Sequence, residues 1–597
     1  MRLSWWLEYN KKLPNKQFGF RRRRSCMDNL ILLTAEILNA FDDDEILASL
    51  SIDIKGAYDN VLPGVLIETL KDIGVPELYL RIVHNLVGRK HLTFRYEEFD
   101  EKRTVFKGLA QGGVLSSILY ALYTSPLEDI PLERCQLMEF ADDTTYYAIF
   151  KKPERAIKNL EDTMIDIMNF LDSRGLEPSP GKNQLCVFSQ SKKITSKIWS
   201  LKIRGETINS KSVFKLLGLY FDDSLTWDQQ IESTREKCIK PMAILSYLRT
   251  TWSGADPSVM LRLYKALIRS RIEYGGFLLH PLSTKNLKKI TVIQNRAIRV
   301  AMGYRKSTPI NIMLAEAKKP PISFRFQYLC MNYLTRIESN SAHPLSPVLD
   351  KLITRRNNPT FVRNSKPLLL IGYGNLIPIQ NYIASSDRPW CYSYAYESLW
   401  YKPDIDLEKG KILRETAEPN SQFLSIFKYE LNNGICWFTD GSKMSNKEFV
   451  GFASIFTAEV MAITTTLQAI FESKESHFYI FSDSRSVLCA LKNHYNSERQ
   501  KPIILTIKDQ LYRLSLSNKK VKLFWIPAHV GIGFNETVDQ LVKDSIMRGI
   551  DTQLLIPASD FKNIWKEKIK RKFDLWSGST GRQKGKNYFT KFSTDFP

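Results

Sequence analysis

The residues whose types and spacing best suit chemistry are Asp142 and Asp143, within residues 137–150, LMEF-ADD-TTYYAIF. Short runs rich in β-branched and aromatic residues flank Ala141-Asp142-Asp143, which reads as a β-hairpin with two adjacent carboxylates at its tip. Neighbouring carboxylates repel each other, and a divalent cation would neutralise that repulsion. Taken alone, an ordinary acidic turn explains the pair slightly better than a metal site. Two other acidic clusters compete with it. Asp42-Asp43-Asp44-Glu45 closes a helical pattern (Leu30, Leu33, Ile37, Phe41) and reads as a solvated helix end. Asp222-Asp223 is followed by Ser-Leu-Thr-Trp, a turn rather than a second strand.

The surrounding elements decide what else can join Asp142 and Asp143. Residues 1 to about 50 read as mostly helical, with a break at Leu13-Pro14. Residues 51–54 are apolar and β-leaning and precede Lys55-Gly56-Ala57-Tyr58-Asp59. Asp53 therefore falls at a strand end, where a carboxylate can converge with a hairpin tip on a neighbouring strand. Residues 63–90 read as two helices divided near Gly74-Val75-Pro76, and residues 93–96 and 104–106 as a hairpin. Gly108-Leu109-Ala110-Gln111-Gly112-Gly113 then enters an apolar helix over 114–123. A glycine-rich loop at a helix N-terminus suits phosphate or substrate backbone, although this one lacks the lysine-serine ending of a P-loop. An amphipathic helix covers 153–171, with Ile157, Leu160, Met164, Ile167 and Leu171 on one face. Residues 230–340 are helix-rich and basic, including 259–272 and 287–302. Residues 340–430 lose periodicity and read as an irregular linker.

From Gly434 strands alternate with helices, so the second half is α/β. Strands over 435–438, 478–481 and 521–526 lead into Asp440, Asp483 and Pro527-Ala528-His529. Ala458-Glu459 opens a helix, and Asp539 follows Asn535-Glu536 on another. The tail from Trp565 is lysine-rich with Trp576, Tyr588 and Phe589 interleaved. It reads as a nucleic-acid grip or as a partly disordered end.

Composition narrows the partners. The 597 residues suffice for roughly four domain-sized units. A net charge of +22 and a pI near 9.4 favour polyanions, nucleic acid before an anionic membrane surface. The eight cysteines form no CxxC or zinc-knuckle spacing and are too sparse for a disulfide scaffold, which fits a reducing compartment. No apolar run reaches the ~18 residues of a membrane span. The N-terminus carries Glu8 and no apolar h-region, so it is not a signal peptide. The expectation is a protein of nucleus and cytoplasm with no membrane partner. Arg21 to Arg24 is readable as a nuclear signal or as a phosphate-contacting edge.

Asp53, a glycine-rich loop and Asp142-Asp143, in that order, resemble the palm of a reverse transcriptase, most closely the LINE-type polymerases of Jockey-like non-LTR retrotransposons. Gln17-Phe18-Gly19-Phe20-Arg21 with Arg24-Ser25-Cys26 looks like the family's fingers motif. Asp53-Ile54-Lys55-Gly56-Ala57-Tyr58-Asp59 looks like motif A, residues 108–119 like motif B, and Phe140-Ala141-Asp142-Asp143 like motif C. Gly175-Leu176 and Lys182 sit where motif D lies, and Leu217-Gly218 through Leu225 and Trp227 look like motif E. Ile293-Gln294-Asn295-Arg296-Ala297 and Thr308-Pro309 resemble the segment after the thumb. The second half is similar to the RNase H domain of some of these elements, through Thr439-Asp440-Gly441-Ser442, Ala458-Glu459, Asp483-Ser484, Trp525-Ile526-Pro527-Ala528-His529 and Asn535-Glu536 with Asp539.

The resemblance implies a multidomain α+β polymerase of palm and fingers with a helical thumb, followed by an α/β RNase H-like domain. Fingers (partial) and palm would cover 1–240, thumb and connection 241–340, an irregular linker 341–430, the RNase H-like domain 431–550 and a basic tail 551–597. The implied activity is RNA-directed DNA polymerisation by nucleotidyl transfer, with endonucleolytic RNase H cleavage. Its partners would be an RNA template, a DNA primer, an RNA–DNA hybrid and dNTP. Each site would bind two Mg²⁺, with Mn²⁺ as an alternative, about 3.5–4 Å apart. Asp53, Asp142 and Asp143 would hold one pair, and Asp440, Glu459, Asp483 and Asp539 the other. Carboxylate oxygens without a Cys or His set suit Mg²⁺ better than zinc.

The resemblance also assigns finer roles. Tyr58 would pack below the incoming sugar and exclude a 2′-hydroxyl, or else be a plain core aromatic. Gln111 and Gly112 would touch nucleotide or template, and Arg21 and Arg24 the substrate phosphates. Lys182 would protonate pyrophosphate, or else be a solvated lysine. His529 would move protons or release product, or else be structural. The stretch before Asp53 is shorter than the family's fingers region, so the polymerase half is expected to be N-terminally truncated. The family places a strand hairpin between Asp440 and Glu459, whereas residues 451–456 offer about one strand. Two other functions stay open: a nucleic-acid-binding remnant without turnover, and a hybrid-cleaving nuclease alone.

Overall fold

Residues 46–52, ILASLSI, are buried along nearly their whole length. An apolar run of this kind, with no period-two alternation, is what a strand covered on both faces requires. In a computed structural model, which describes residues 2–179, 181–249, 254–279, 282–355, 366–387, 390–441, 453–493, 500–548, 555–581 and 588, this run is strand β1, Ile46–Ile52. From sequence the strand is expected only from 51, because a two-sided strand looks like a continuing helix.

The chain forms two units. The larger comprises Lys11–Leu334, His343–Ile377 and Lys566–Pro597; the smaller comprises Met1–Asn10, Thr335–Ala342 and Pro378–Trp565. In the larger unit β1 is followed by the hairpin β2 (Lys90–Tyr96) and β3 (Phe99–Val105), then β4 (Cys135–Phe140), β5 (Asp143–Phe150) and β6 (Gln184–Phe188). The main sheet has the order β4-β5-β1-β6, and each neighbouring pair is antiparallel. The helices Cys26–Asp42 and Pro153–Ser173 pack on this sheet. Pro153–Ser173 buries the face read from the sequence, Ile157, Leu160, Met164, Ile167 and Leu171. Each such fully buried side chain stabilises by roughly 1.5–3 kcal/mol.

Small hairpins follow, β7 (Ser200–Ile203) with β8 (Glu206–Asn209) and β9 (Val213–Leu216) with β10 (Leu219–Asp222). Asp222 closes the last as a turn, accepting from Thr226 N at 2.6 Å and Trp227 N at 2.5 Å. Asp42 and Asp43 are not merely solvated: Arg355 reaches Asp42 at 3.5 Å and Asp43 at 2.9 Å. Beyond β10 the helices Asp228–Leu248 and Thr284–Met302 pack against each other.

The smaller unit is built on β11 (Asp404–Asp406), β12 (Ile435–Thr439), β13 (His477–Ser482) and β14 (Lys520–Trp525), in the order β11-β14-β13-β12 and all parallel. Val460, Ile463, Leu467, Phe478, Ile480, Ile507 and Leu523 form one core cluster, and Phe423, Phe427, Phe481 and Phe524 belong to a second. The segment 340–430 is therefore not an irregular linker. It supplies β11 and the short helices Ser346–Thr354, Leu368–Leu376, Pro419–Ile426 and Lys428–Asn432, each too brief to show a period. Residues 442–452 lie outside the described residues, and with them the first two positions of the single strand expected over 451–456. Ile455 and Phe456, expected in a strand, instead begin the helix Ile455–Glu472, capped by Ser454. Trp565 and Trp576 lie in a helix, Phe561–Gly581, rather than in a disordered tail; Phe589 lies outside the described residues.

Candidate active sites

In the larger unit the β1–β5 register pairs Ile52 with Thr144. Asp53, one residue beyond β1, and Asp143, the first of β5, therefore occupy the same end of the sheet. Phe140 pairs with Asp143, leaving Ala141-Asp142 as a two-residue turn in which Ala141 has φ +59°. Burial, then the charges of Asp142 and Asp53, raises the Asp143 carboxyl above the usual range. The chain after Pro153–Ser173 returns beside Asp53: Ser179 N donates to Asp53 O at 2.6 Å and Lys55 N to Glu177 O at 2.9 Å. That return brings Lys182 Nζ to 3.0 Å from Asp53 Oδ2.

Tyr58 is half-buried, its ring 4.9 Å from that of Tyr120. Burial raises its phenol, a hydrogen bond with Ser117 opposes this, and the charge of Asp142 adds to the rise. Gln111 Nε2 donates to the Asp59 carboxylate at 3.2 Å and 3.3 Å, and Gly112 has φ +82° in the same exposed loop. Arg21 donates to Pro14 O, and Arg24 to Asn15 O and, at 2.9 Å, to Gln17 O. Both guanidinium groups thus brace the backbone of residues 14–17.

Two residues near the hairpin tip were given no role by the sequence reading. Gln17 is fully buried and bonds Ala141 through both its N–H and its carbonyl. Glu139 lies on β4, fully buried, and among the described residues neither of its carboxyl oxygens meets a hydrogen-bond partner. Burial, then the nearby charge of Glu128, pushes the Glu139 carboxyl up to about 8, against a smaller opposing effect of Lys16. Gln17 stands in a quoted motif, but its partner is 124 residues away. Glu139 looks like an outward strand residue in an alternating pattern.

In the smaller unit Thr439 of β12 pairs in parallel with Ser482 of β13. Asp440 and Asp483 thus stand side by side at the carboxyl ends of parallel strands, where open α/β sheets place their ligands. Glu459 faces them from Ile455–Glu472; a Cβ on Gly441 would lie 2.4 Å from Glu459 N, so the bare glycine permits this approach. Ligand atoms of Asp440, Glu459 and Asp483 all lie within 4.8 Å of one another. Burial and the charges of Asp483 and Asp440 push Glu459 up to about 8, and one of its buried oxygens has no partner. Burial and Asp440 push Asp483 to about 6, with His529 opposing. Asp539, on Gly533–Arg548, shares a hydrogen bond with Asp440, accepts from Lys543 at 2.6 Å, and lies 3.7 Å from His529 Nδ1.

Among the described residues, two groups bring three or more potential ligands within 4.8 Å: Asp440–Glu459–Asp483 and His529–Glu536–Asp539. Asp53, Asp142 and Asp143 share a sheet end without closing to that distance. No described helix is long and apolar enough to cross a membrane.

Comparison with known proteins matches two separate stretches of the chain. Residues 2–221 match the family described as reverse transcriptase (RNA-dependent DNA polymerase), and residues 432–547 match RNase H. The chain is 25% identical over 296 residues to a probable RNA-directed DNA polymerase from transposon BS of Drosophila melanogaster, covering 48% of this chain and 32% of that protein. It is 22% identical over 349 residues to the RNA-directed DNA polymerase from mobile element jockey of the same species, covering 57% and 37%. It thus spans 32% and 37% of these curated relatives' own length. Among solved structures, apo telomerase from Candida tropicalis aligns over 59% of this chain and 60% of that one, at 14% identity and a TM-score of 0.31.

Proposed function

We propose, for a chain that joins a reverse-transcriptase domain to an RNase H domain as retrotransposon polymerases do, that the larger unit extends a DNA primer on an RNA template. The smaller unit then hydrolyses the RNA strand of the resulting hybrid. The observation that carries the polymerase reading is the β1–β5 register, which brings Asp53 and Asp143 to one sheet end beside Asp142. In this reading the β4-β5-β1-β6 sheet is the palm, and the helices Asp228–Leu248 and Thr284–Met302 belong to the thumb.

Both acidic sets fit divalent cations. Their carboxylates crowd like charge, burial disfavours ionisation of Asp143, Asp440, Glu459 and Asp483, and one buried Glu459 oxygen lacks a partner. Asp53, Asp142 and Asp143 would hold the ions of the larger unit, and Asp440, Glu459, Asp483 and Asp539 those of the smaller. Bound there, Mg²⁺ supplies Lewis acidity to the attacking oxygen and offsets charge on the leaving one. The protein's own share is positional. Tyr58, packed on Tyr120 and within the electrostatic reach of Asp142, would meet the sugar of an incoming nucleotide. Gln111 and Gly112 offer polar backbone and amide groups to template or nucleotide. Lys182 holds Asp53 and can pass a proton to departing pyrophosphate. His529, beside Asp539, can shuttle a proton for the hydrolysed strand.

Primer extension on an RNA template with Mg²⁺ tests the reading, comparing the parent with Asp142→Ala. Loss of at least 10²-fold in the variant is expected; a parent that extends nothing rejects the polymerase. Cleavage of an RNA–DNA hybrid, lost in Asp483→Ala and kept in Asp142→Ala, tests the nuclease separately.

A further inference from the structure

We infer that Gln17 is a positioning residue for the polymerase site, and that its side-chain amide holds the Ala141-Asp142 turn in the conformation that aims the two aspartates. This rests on the polymerase reading of the larger unit and adds to it a residue distant in sequence from every proposed metal ligand.

The argument starts from the turn. Only two residues, Ala141 and Asp142, connect the paired Phe140 and Asp143. The first has φ +59°, a region that L side chains other than Asn and Asp seldom occupy. Glycine would enter it freely; alanine enters at a cost on the order of 1 kcal/mol or more. Such a conformation persists only where its surroundings over-determine it. Here the two-residue hairpin calls for it, and one side chain braces it. Gln17 Oε1 accepts from Ala141 N at 2.8 Å, and Gln17 Nε2 donates to Ala141 O at 3.1 Å. Both polar backbone groups of the left-handed residue are therefore tied to a single amide. The same Oε1 also accepts from Gly19 N at 2.8 Å, which fixes the clamp to its own backbone.

The clamp is built in from outside the hairpin. Residues 16–18 run parallel to the free edge of β4: Phe18 N donates to Glu139 O at 2.9 Å, and Glu139 N to Lys16 O at 3.0 Å. This places Gln17 at the turn with no exposed surface. Gly19 completes the fit, because a Cβ there would lie 2.4 Å from Ala141 N. Arg24 secures the segment from the other side by donating to Gln17 O. No carboxylate is touched. Gln17 acts through the backbone of the residue before Asp142, so its removal leaves every ligand present and loosens their aim.

The test uses the full chain and a double-mutant cycle between Gln17→Ala and Ala141→Gly, read in two ways. The first reading is the Mg²⁺ concentration giving half-maximal primer extension, with hybrid cleavage by the same preparation as a control for folding. The second is Mn²⁺ binding without nucleic acid, followed by electron paramagnetic resonance, in which Asp142→Ala defines the share of the signal due to this site. Gln17→Ala is expected to raise the half-maximal Mg²⁺ about tenfold, weaken the same share of Mn²⁺ binding, and leave hybrid cleavage unchanged. With Ala141→Gly present, where the left-handed conformation needs no clamp, the Gln17→Ala penalty should shrink at least threefold. Gly19→Ala, which pushes on the turn without removing the amide, should reproduce the metal defect should Gln17→Ala prove insoluble. Unchanged Mg²⁺ dependence and Mn²⁺ binding in Gln17→Ala, or a penalty equal in both backgrounds, overturns the inference. A parent that binds Mn²⁺ but extends no primer rejects the polymerase reading instead, and the Mn²⁺ cycle still decides the role of Gln17.

Discussion

Glu459 carries an ordinary carboxyl into like-charged company, and its titration follows from that company. With Glu459 pushed to about 8 and Asp483 to about 6, both largely by burial, a cation must displace protons below those values. Mn²⁺ binding to the Asp440–Glu459–Asp483 set is therefore expected to weaken roughly tenfold or more from pH 8 to pH 6. Calorimetry on Asp142→Ala, which leaves this site intact, measures it. Glu139 gives a second titration. Folded, it holds its proton up to about 8; unfolded, it releases it near 4.5. The stability this proton contributes is complete at low pH and drains away as pH rises through that window. Glu139→Gln should therefore leave the melting temperature unchanged at pH 4 and raise it by on the order of 5 °C at pH 8. Scanning calorimetry at the two pH values checks the sign. Asp53, Asp142, Asp143, Asp440 and Asp483 stand at strand ends and a turn tip, positions that patterning alone locates; Glu459 and Asp539 lie on helices, and only the family resemblance singles them out. Gln17 and Glu139 were not legible in the sequence, because each acts through residues more than ten positions away that only the folded sheet brings near.

At the scale of elements, long periodic segments declared themselves and short ones did not. The helix Pro153–Ser173 has enough turns to show its face, and β12, β13 and β14 have clear apolar runs. Strand β11 has three residues, the helix carrying Phe423 has eight, and the helix that Phe427 precedes has five; no period fits in that length. Yet Phe423 and Phe427 meet Phe481 edge-on, with ring centroids at 5.4 Å and 5.0 Å, and a Cβ on Gly410 would lie 2.0 Å from Trp525 O. These short pieces are thus part of the sheet's own cover. A fragment of residues 431–550 should accordingly melt well below one of residues 378–565, because it lacks two buried rings worth roughly 3–5 kcal/mol each and an edge strand. Comparing denaturant midpoints of the two fragments tests this.

For the whole molecule, charge was the most legible property and the division of the chain the least. A net charge of +22 predicts binding to nucleic acid that falls steeply with salt. Lys285, Lys288 and Arg296 line a groove between Asp228–Leu248 and Thr284–Met302, and none of the three forms an ion pair among the described residues. Replacing each by Gln should lower the slope of log affinity against log salt by about 0.7–0.9, without changing sequence preference; fluorescence anisotropy at several salt concentrations measures it. The discontinuous partition could not be read from composition, since nothing local in residues 2–9 announces a partner some 390 positions downstream.

That partner sets a schedule for synthesis. Trp5 meets Tyr396 ring to ring at 5.7 Å, and Arg2 lies over the same tyrosine at 4.9 Å. This helix therefore leaves the ribosome tens of seconds before the tyrosine it packs on, at roughly 5–20 residues per second. Until then Trp5, Trp6 and Leu7 travel as an uncovered greasy ribbon, a natural landing place for nascent-chain chaperones.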